Sequence, residues 1–515
     1  MSVTPEVSHI DLDGIGVTID DVVAVARQGA TVSLTDAAVE RMARSRAVVD
    51  RLAEGDPKYG ISTGFGALAT VSIPPDRRRA LQTALVRSHA AGMGDPVEHE
   101  VVRAMILLRA RTLALGASGA RPLVAQAMVD LLNAGITPLV PEYGSLGASG
   151  DLAPLAHGAL ALLGEGRVHH DGEWRPASDA LAAAGLEPIS LVEKEGLAVT
   201  NGTDAILGML CLAVDDAARL LRQADMVTAL TVEGLLATDG PFAADLQALR
   251  PQPGQAISAA NLRAMLAGSP IVASHKNDDS RVQDAYSVRC TPAVNGAARD
   301  TLDHVSRVAG HELAAAIDNP MVLSDGRVES CGNFHGAPLG FAADFLAIAL
   351  AEVGAIAERR MDRMLDKTRS HGLPPFLAAE VGVDSGLMIG HYTAAGMASE
   401  NKRLAAPASV DSLPTSGMQE DHVSMAWASV RKLRKVIDNL RRILAVEYVI
   451  SARAIELREP LVPSVATGAA IDVLRSRVEG VGPDRYLAPE LAAAEDLLRA
   501  DAPAAALAEH GLTLS

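Results

Sequence analysis

Two long stretches that contain almost no helix-breaking residues constrain the fold most strongly. Residues 341–367 contain no proline and one glycine, and residues 424–459 contain neither. In the second stretch apolar side chains recur every three or four residues, the stripe of an amphipathic helix: Leu433, Val436, Ile437, Leu440 and Leu444. At 1.5 Å per residue such a helix would run roughly 50 Å. These stretches predict long helices that pack into a bundle and favour an oligomer.

The composition also indicates a mainly helical chain. Hydrophobic residues make up 49% and aromatic residues only 3% of the 515 residues, a mixture that suits helices better than β-sandwiches. The net charge of −17 argues against a general nucleic-acid binder. The pattern becomes strongly helical after about residue 200, so we expect an N-terminal domain over residues 1–200 and a long-helix bundle with C-terminal helices over residues 201–515.

The cysteines and apolar runs bear on the cellular location. Cys211, Cys290 and Cys331 are widely spaced and odd in number, which fits neither a disulfide framework nor a metal cluster. The N-terminus lacks the plan of a signal peptide. No apolar run reaches the roughly 18 residues of a membrane helix, because Asp344 and Glu352 interrupt the best candidate. The sequence predicts a soluble cytoplasmic protein.

Two local signals concern the N-terminal region. Thr18 reads as the start of a helix and Gly29 as its end. Residues 168–174 read as a hairpin, since Asp-Gly suits a type I′ turn. The hairpin includes His169 and His170, but neighbours on a strand face opposite ways, so an exposed hairpin is favoured over a metal site.

A glycine-rich segment carries the most specific chemistry. Residues 144–152 read G-S-L-G-A-S-G-D-L. If the backbone bends sharply, the Gly150 nitrogen can attack the Ala148 carbonyl, and glycine offers no Cβ to block the approach. Loss of water closes a five-membered ring, and loss of the Ser149 hydroxyl leaves a methylidene. Because Ala-Ser-Gly is a common tripeptide, it favours a helix entry or an anion-binding turn when taken alone, and it does not match the G-x-S-x-G elbow of hydrolases.

The surrounding motifs decide between these interpretations. Six further segments place polar or aromatic side chains beside glycines or in short polar clusters: residues 59–66, 88–92, 201–203, 283–290, 332–335 and 419–422. Together with G-S-L-G-A-S-G-D-L-A-P-L, K-E-G-L-A and S-L-P-T-S-x-x-Q-E-D-H-V-S-M, they give a chain that resembles the aromatic amino acid ammonia-lyases from about residue 19 to about residue 457.

The resemblance implies an electrophilic prosthetic group and an architecture. Ala148, Ser149 and Gly150 would form a methylidene-imidazolone (MIO), with no metal or external cofactor. The family removes ammonia from an α-amino acid, and a base takes a weakly acidic β-proton in a site that excludes water. The implied fold is mainly α, with an N-terminal MIO-bearing helical region and a long central bundle of fumarase/aspartase-like architecture. The implied assembly is a homotetramer whose active sites draw on three subunits.

The resemblance also implies the acid-base and carboxylate-binding groups. Tyr286 would be the base, and Tyr59 would assist proton handling. Arg289 would hold the substrate carboxylate as a bidentate pair. Because Tyr286 and Arg289 are three residues apart, a helical turn would point both into one cavity, and Gln283 would line the same face.

The remaining implied contacts concern the substrate side chain and amine. Asn201 would bind the carboxylate or the MIO, Phe334 would pack near the MIO, and Glu420 would lie near the substrate amine or imidazole. His89 stands where the phenylalanine and tyrosine branches carry an apolar residue, and a histidine can hydrogen-bond an imidazole. The resemblance is therefore strongest to the branch that converts histidine to urocanate.

Several alternatives stay open. Ser62, Thr200 and Gly417 depart from the usual residues of that branch, and Thr200 and Met418 could line the pocket. The same chemistry on tyrosine or phenylalanine, or a 2,3-aminomutase, therefore stays an alternative, because these enzymes share the motifs. A fumarase-type lyase would need S-S-x-M-P-x-K-x-N, whereas residues 416–420 read S-G-M-Q-E. An inactive scaffold is disfavoured because the candidate catalytic groups are intact.

Overall fold

The computed structural model of the chain describes residues 8–53, 63, 72–277 and 281–515. Its α-helices are, in chain order, α1 (Ile19–Arg27), α2 (Asp36–Ala53), α3 (Arg78–His89), α4 (His99–Ala114), α5 (Pro122–Asn133), α6 (Leu152–Leu162), α7 (Ala177–Ala183), α8 (Glu195–Thr200), α9 (Asp204–Gly234), α10 (Ala244–Ala248), α11 (Pro253–Met265), α12 (Pro270–Ser274), α13 (Tyr286–Arg289), α14 (Thr291–Leu313), α15 (Ala337–Leu365), α16 (Met388–Leu404), α17 (Ala426–Glu456), α18 (Val465–Arg475), α19 (Ala488–Arg499) and α20 (Ala502–Glu509).

The strands are short and form small sheets. They are β1 (His9–Leu12), β2 (Thr31–Leu34), β3 (Met93–Pro96), β4 (Thr137–Pro138), β5 (Pro141–Tyr143), β6 (Arg167–His170), β7 (Glu173–Pro176), β8 (Met321–Val322) and β9 (Val328–Glu329). β1 pairs with β2 in parallel. The antiparallel pairs are β3 with β5, β4 with β6, β6 with β7, and β8 with β9. The prediction of a mainly helical fold is confirmed.

The chain divides into two compact units, neither of which is continuous in sequence. Unit 1 contains residues 1–215, 305–344 and 407–431, and unit 2 contains residues 216–304, 345–406 and 432–515. The predicted boundary between residues 200 and 201 falls within the residues of unit 1. As a division into domains it stays a prediction.

Both long stretches fold as the absence of helix breakers predicts. Helix α15 covers almost all of residues 341–367, and α17 covers residues 426–456 of the predicted 424–459. All five side chains of the predicted stripe are at most 2% exposed: Leu433, Val436, Ile437, Leu440 and Leu444. The period of the stripe therefore identifies the buried face of α17.

The two local signals in the N-terminal region are also confirmed. Thr18 caps α1, its side chain accepts from the Asp21 amide, and the Asp21 carboxylate accepts from the Thr18 amide. This reciprocal capping box satisfies two donors that a helix N-terminus leaves free. In the hairpin, Asp171 and Gly172 connect β6 to β7 with φ values of +53° and +82°. Two successive left-handed residues match a type I′ turn.

Three helices of unit 1 pack on one another and place their ends close to the glycine-rich segment. Helices α3, α6 and α8 form mutual contacts. Gln82 of α3 is fully buried and accepts from the amide of Gly196 in α8 at 2.8 Å. α3 ends at His89, α6 begins two residues after Gly150, and α8 ends one residue before Asn201. The packing thus gathers three predicted site segments.

Two helical stretches are long and apolar enough to cross a membrane by length and composition alone. The prediction that no apolar run reaches this length is therefore wrong. They cover residues 195–234 and 337–365. The most apolar part of the first is 100% buried within the chain, and that of the second is 67% buried. Core helices of globular proteins have the same character, so their hydropathy is explained by burial against protein.

Candidate active site

The backbone around Gly150 is held against a second segment of unit 1. Gly150 has a φ of +75°, and a Cβ atom built there would lie 2.2 Å from the Gly202 carbonyl oxygen. The amide of Asp151 donates to the same Gly202 oxygen at 2.6 Å. A side chain at position 150 would therefore meet both an unfavourable dihedral angle and another backbone. Only glycine fits at this position.

The loop that precedes the tripeptide is anchored by two other segments of unit 1. The Gly147 carbonyl accepts from the Ser424 hydroxyl at 2.7 Å and from the Gly336 amide at 3.0 Å. The Leu146 carbonyl accepts from the Met425 amide at 2.8 Å. These bonds draw residues from three distant parts of the chain to one place.

The Ser149 hydroxyl contacts a carboxylate that is distant in sequence. It donates to Glu420 Oε1 at 2.8 Å, and Thr415 Oγ1 donates to the other carboxylate oxygen, Oε2, at 3.0 Å. Between Thr415 and Glu420, the chain turns through Ser416 and Met418 with φ values of +53° and +71°. Each left-handed residue with a side chain costs about 1–2 kcal/mol. The turn is therefore maintained against local preference to bring Thr415 beside Glu420.

A cavity of about 560 Å³ opens onto the tripeptide. The residues that line it all belong to unit 1: Ala148, Ser149, Asn319, Ser330, Cys331, Phe334, His335, Gln419, Glu420, Asp421 and His422. The rings of His335 and His422 stack with their centroids 5.5 Å apart. The predicted site residues Ser149, Phe334 and Glu420 therefore line one cavity. The volume of this cavity suits a small molecule.

His89 is half-buried at the end of α3. Its Nδ1 and the Ser88 hydroxyl are 3.1 Å apart. Burial lowers the pKa of His89, while the Leu85 carbonyl and the Glu420 carboxylate oppose that shift. The imidazole is therefore neutral at pH 7 and can donate at one nitrogen and accept at the other. Glu420 lines the cavity, whereas His89 is not among the described residues that line it, so its role in the site stays a prediction.

Asn201 is buried and only partly satisfied. Its amide nitrogen donates to the Asn319 carbonyl oxygen at 3.0 Å, and Asn319 lines the cavity. Its Oδ1 atom is buried and has no hydrogen-bond partner in the described part of the chain. An unsatisfied buried acceptor is uncommon and is typical of a position that serves a ligand.

A buried carboxyl group, that of Asp151, directly follows the tripeptide in the chain. The Asp151 carboxylate accepts from the Ser145 hydroxyl and from the amides of Ala205 and Ile206 at the start of α9. Burial raises the pKa of Asp151 to about 7, although these hydrogen bonds oppose the shift. A buried carboxyl group with a strongly raised pKa is typical of functional sites and also of structural hydrogen-bond networks.

A second buried pair supports the wall that carries Cys331. Lys194 and Asp318 are both fully buried, and their Nζ and Oδ2 atoms lie 2.8 Å apart. Burial lowers the pKa of Lys194, while Asp318 opposes that shift. The Asp318 carbonyl accepts from the Cys331 thiol. Lys194 belongs to the K-E-G-L-A motif, but no local pattern in the sequence predicts Asp318 as its partner.

The predicted base and carboxylate clamp belong to unit 2. Tyr286 and Arg289 are the first and last residues of α13, and the Arg289 guanidinium lies 4.6 Å from the centre of the Tyr286 ring. Both residues lie on one helical turn, and the cavity that they would share stays a prediction. The Tyr286 side chain is 72% exposed. Gln283 precedes the helix and is exposed, so the helical spacing that linked it to Tyr286 does not apply. Tyr59 lies outside the described residues.

Sequence reasoning missed several residues that surround the tripeptide. Thr415 stands within the quoted S-L-P-T-S motif, and His335 and His422 stand beside Phe334 and Glu420, so the signal was present without an assigned role. Within the ranges 8–53, 72–277 and 281–515, no group of three or more His, Cys, Asp or Glu side chains could hold a metal ion.

Comparison with known proteins places the chain in a family. The sequence model of the family described as aromatic amino acid lyase matches residues 17–476. A histidine ammonia-lyase from Streptomyces coelicolor is 60% identical over 488 residues, which cover 94% of this chain and 95% of that protein. A histidine ammonia-lyase from Gloeobacter violaceus is 47% identical over 95% of both chains.

Solved structures agree with this assignment. The histidine ammonia-lyase from Trypanosoma cruzi superposes with a TM-score of 0.90 at 39% identity, covering 97% of this chain and 95% of that one. A tyrosine aminomutase from Streptomyces globisporus superposes with a TM-score of 0.92 at 37% identity, covering 98% and 100% of the two chains. The chain therefore belongs to the aromatic amino acid lyase family.

Proposed function

We propose that this chain is an ammonia-lyase that eliminates ammonia from L-histidine and releases urocanate. The observation that carries the proposal is the position of Ala148 and Ser149 on the wall of a 560 Å³ cavity, with the Ser149 hydroxyl 2.8 Å from Glu420. Three Streptomyces relatives named histidine ammonia-lyase, each 60% identical to the chain, support histidine as the substrate.

The tripeptide fits an MIO group built from its own atoms. The left-handed Gly150, with no room for a Cβ atom, allows the sharp bend that ring closure requires. The Gly150 nitrogen bonds to the Ala148 carbonyl carbon, and the carbonyl oxygen leaves as water with the amide hydrogens of Gly150 and Ser149. Ser149 then loses its Cα hydrogen and its hydroxyl as a second water. When formed, the group supplies an electrophile that turns the substrate amine into a better leaving group.

The residues of the chain would provide binding and proton transfer. We assign proton removal from the substrate β-carbon to Tyr286, with Tyr59 assisting, because a phenolate is a strong base. Arg289 would hold the carboxylate by two parallel hydrogen bonds, with Gln283 on the same side of the substrate. Asn201 has a buried acceptor without a partner among the described residues, and it would bind the carboxylate or the prosthetic group. The exposed Tyr286 side chain and its contact with Arg289 are compatible with these roles.

Substrate choice would depend on the side chains that meet the imidazole. His89 can exchange a hydrogen bond with an imidazole, and a phenyl ring would leave that bond unmade. Glu420 would accept a hydrogen bond from the substrate amine or imidazole, and Phe334 would exclude water beside the reacting atoms. One polar and one charged group near the ring favour histidine over phenylalanine.

The decisive experiment is an assay of the purified protein with histidine, tyrosine and phenylalanine. Both free ammonia and the unsaturated acid are followed, the latter by its ultraviolet absorbance. We expect stoichiometric ammonia and urocanate from histidine, and much slower reaction with the other two. Absence of urocanate with histidine would refute the proposal.

A 2,3-aminomutase is the second candidate, because a tyrosine aminomutase has a TM-score of 0.92 with this chain. A mutase returns the ammonia to the substrate. Chromatography of the same assay for β-tyrosine and β-histidine separates the two activities, and a β-amino acid as the main product would favour the mutase.

The assembly and compartment follow the family resemblance. We propose a homotetramer that works in the cytoplasm. Light scattering on the purified protein measures the number of subunits, and a monomer that is fully active would contradict an active site shared between subunits.

A further inference from the structure

The two oxygens of the Glu420 carboxylate have different partners. Oε1 accepts from the Ser149 hydroxyl at 2.8 Å, and Oε2 accepts from the Thr415 hydroxyl at 3.0 Å. Glu420 is among the described residues that line the cavity, and Thr415 is not. Oε1 therefore faces the tripeptide, whereas Oε2 is bound by Thr415, which does not line the cavity.

Thr415 is itself fixed opposite Glu420 by the backbone. The Thr415 amide donates to the Glu420 carbonyl at 2.9 Å, and the Glu420 amide donates back to the Thr415 carbonyl at 3.3 Å. This reciprocal pair forms an isolated antiparallel bridge closed by the left-handed turn over residues 416–418. The Thr415 hydroxyl thus reaches Oε2 from a fixed position, and both side chains are half-buried.

Formation of the prosthetic group changes these contacts unequally. Under the proposed function, on which this inference rests, Ser149 loses its hydroxyl as water. The bond to Oε1 then disappears, whereas the bond from Thr415 to Oε2 is untouched. Oε1 then becomes an acceptor that faces the cavity and is available to the substrate.

We propose that Thr415 is a positioning residue, which holds the Glu420 carboxylate so that Oε1 points at the substrate. A glutamate side chain has three rotatable bonds, and a charge-assisted hydrogen bond to one oxygen restricts its rotation. Without that bond, the carboxylate can turn toward other groups on the cavity wall, such as His422. A displacement of about 1 Å in a catalytic group can reduce a rate by on the order of 100-fold.

The test uses a pair of variants that differ in the hydroxyl. Thr415→Val keeps the shape and removes the donor, and Thr415→Ser keeps the donor. We expect Thr415→Val to reduce kcat for histidine by on the order of 10- to 100-fold with a much smaller change in KM. Thr415→Ser should retain most of the activity. Equal activity of the Val variant and the unchanged protein would overturn the proposal, and so would equal losses in both variants.

A double-variant cycle identifies Glu420 as the group through which Thr415 acts. In a Glu420→Gln background, Thr415→Val should change kcat little, because no carboxylate remains to be oriented. Full additivity of the two losses would contradict the proposal. If Thr415→Val fails to fold, Thr415→Ala is a second variant without the hydroxyl.

Peptide mass separates this inference from the proposed function. In the unchanged protein and in Thr415→Val, the peptide that contains Ala148, Ser149 and Gly150 should be lighter than its sequence by two waters. If the unchanged protein shows neither that loss nor turnover, the proposed function fails. If only Thr415→Val lacks the mass loss, Thr415 serves maturation and the positioning role is refuted.

Discussion

Two buried ion pairs, one in each unit, differ in how completely their hydrogen bonds are made. In unit 2, Arg360 and Glu447 are both fully buried, and a guanidinium nitrogen lies 2.8 Å from a carboxylate oxygen. In unit 1, Arg109 and Asp204 are also buried, but their nearest charged atoms are 3.4 Å apart. Atoms of both these side chains have no hydrogen-bond partner among the described residues. Removing one partner of a fully hydrogen-bonded buried pair strongly destabilises the fold. Buried polar atoms without a partner already cost free energy, because the low dielectric strengthens every electrostatic interaction there.

The difference extends to protonation. Beside the incomplete pair, the pKa of Asp151 rises to about 7 because of burial. The Glu447 carboxylate has a second donor, the Thr231 hydroxyl at 2.9 Å. Arg109 and Asp204 thus keep buried polar atoms without a partner among the described residues, whereas the Arg360 pair has its hydrogen bonds made. We therefore expect changes at the tripeptide to alter chemistry, changes at Asp151 to alter the pH dependence of stability, and changes at the Arg360 pair to alter stability itself.

The largest effect is expected for Ser149→Ala. Without the serine hydroxyl no methylidene can form, so turnover of histidine should fall to the background rate. The side chain is small and half-buried, so the thermal midpoint should stay close to that of the unchanged protein. Activity and differential scanning calorimetry measure the two quantities. Substantial residual turnover would remove Ser149 from the chemistry.

The second prediction concerns the complete pair of unit 2. Arg360→Met leaves the fully buried Glu447 carboxylate without its charge partner and should lower the free energy of unfolding by about 3–5 kcal/mol. Denaturant titration measures this loss. In the control, Arg360→Met combined with Glu447→Leu should recover much of the stability. The peptide that contains Ser149 should still be lighter by two waters in the single and in the double variant. Disappearance of that mass loss would contradict the expectation that the Arg360 pair affects stability alone.

The third prediction uses the raised pKa of Asp151. An unfolded aspartate has a pKa of 3.8, and the folded one has about 7, so between these values the folded chain binds the extra proton. Stability should therefore fall as the pH rises from about 4 to about 7, by at most about 4 kcal/mol. Asp151→Asn should flatten that slope in urea titrations at several pH values. The exposed Asp171→Asn is the control, and a slope unchanged by Asp151→Asn would exclude this assignment.

The smallest effect is expected for His89→Leu. Loss of one buried hydrogen bond is worth about 1–3 kcal/mol, so the preference for histidine over phenylalanine should fall roughly 10- to 100-fold. The ratio of kcat/KM values for the two substrates measures it, with the exposed Arg87 of the same helix changed to Leu as control. A ratio that does not move would mean that another side chain selects the substrate.

The sequence predicted the helices more completely than the site, for a physical reason. Helical periodicity is local, so the stripe of α17 could be read directly and its ends placed within three residues. The contact between Ser149 and Glu420 joins segments far apart in the chain and leaves no periodic signal. Only the family resemblance connected them. Thr415 was overlooked because its role depends on a left-handed turn through Ser416 and Met418, which their side chains disfavour.

The close approach of Gly150 to Gly202 bears on protein engineering. Ala-Ser-Gly is a common tripeptide, and its sequence alone does not bend the chain. Here the Gly202 carbonyl occupies the volume of a Cβ atom at position 150 and binds the amide of Asp151. To transplant the electrophile, a design would therefore need the segment around Gly150 and the segment around Gly202, just before α9, in the same relative position. A design that grafts only the loop around Ser149 should leave the serine unmodified.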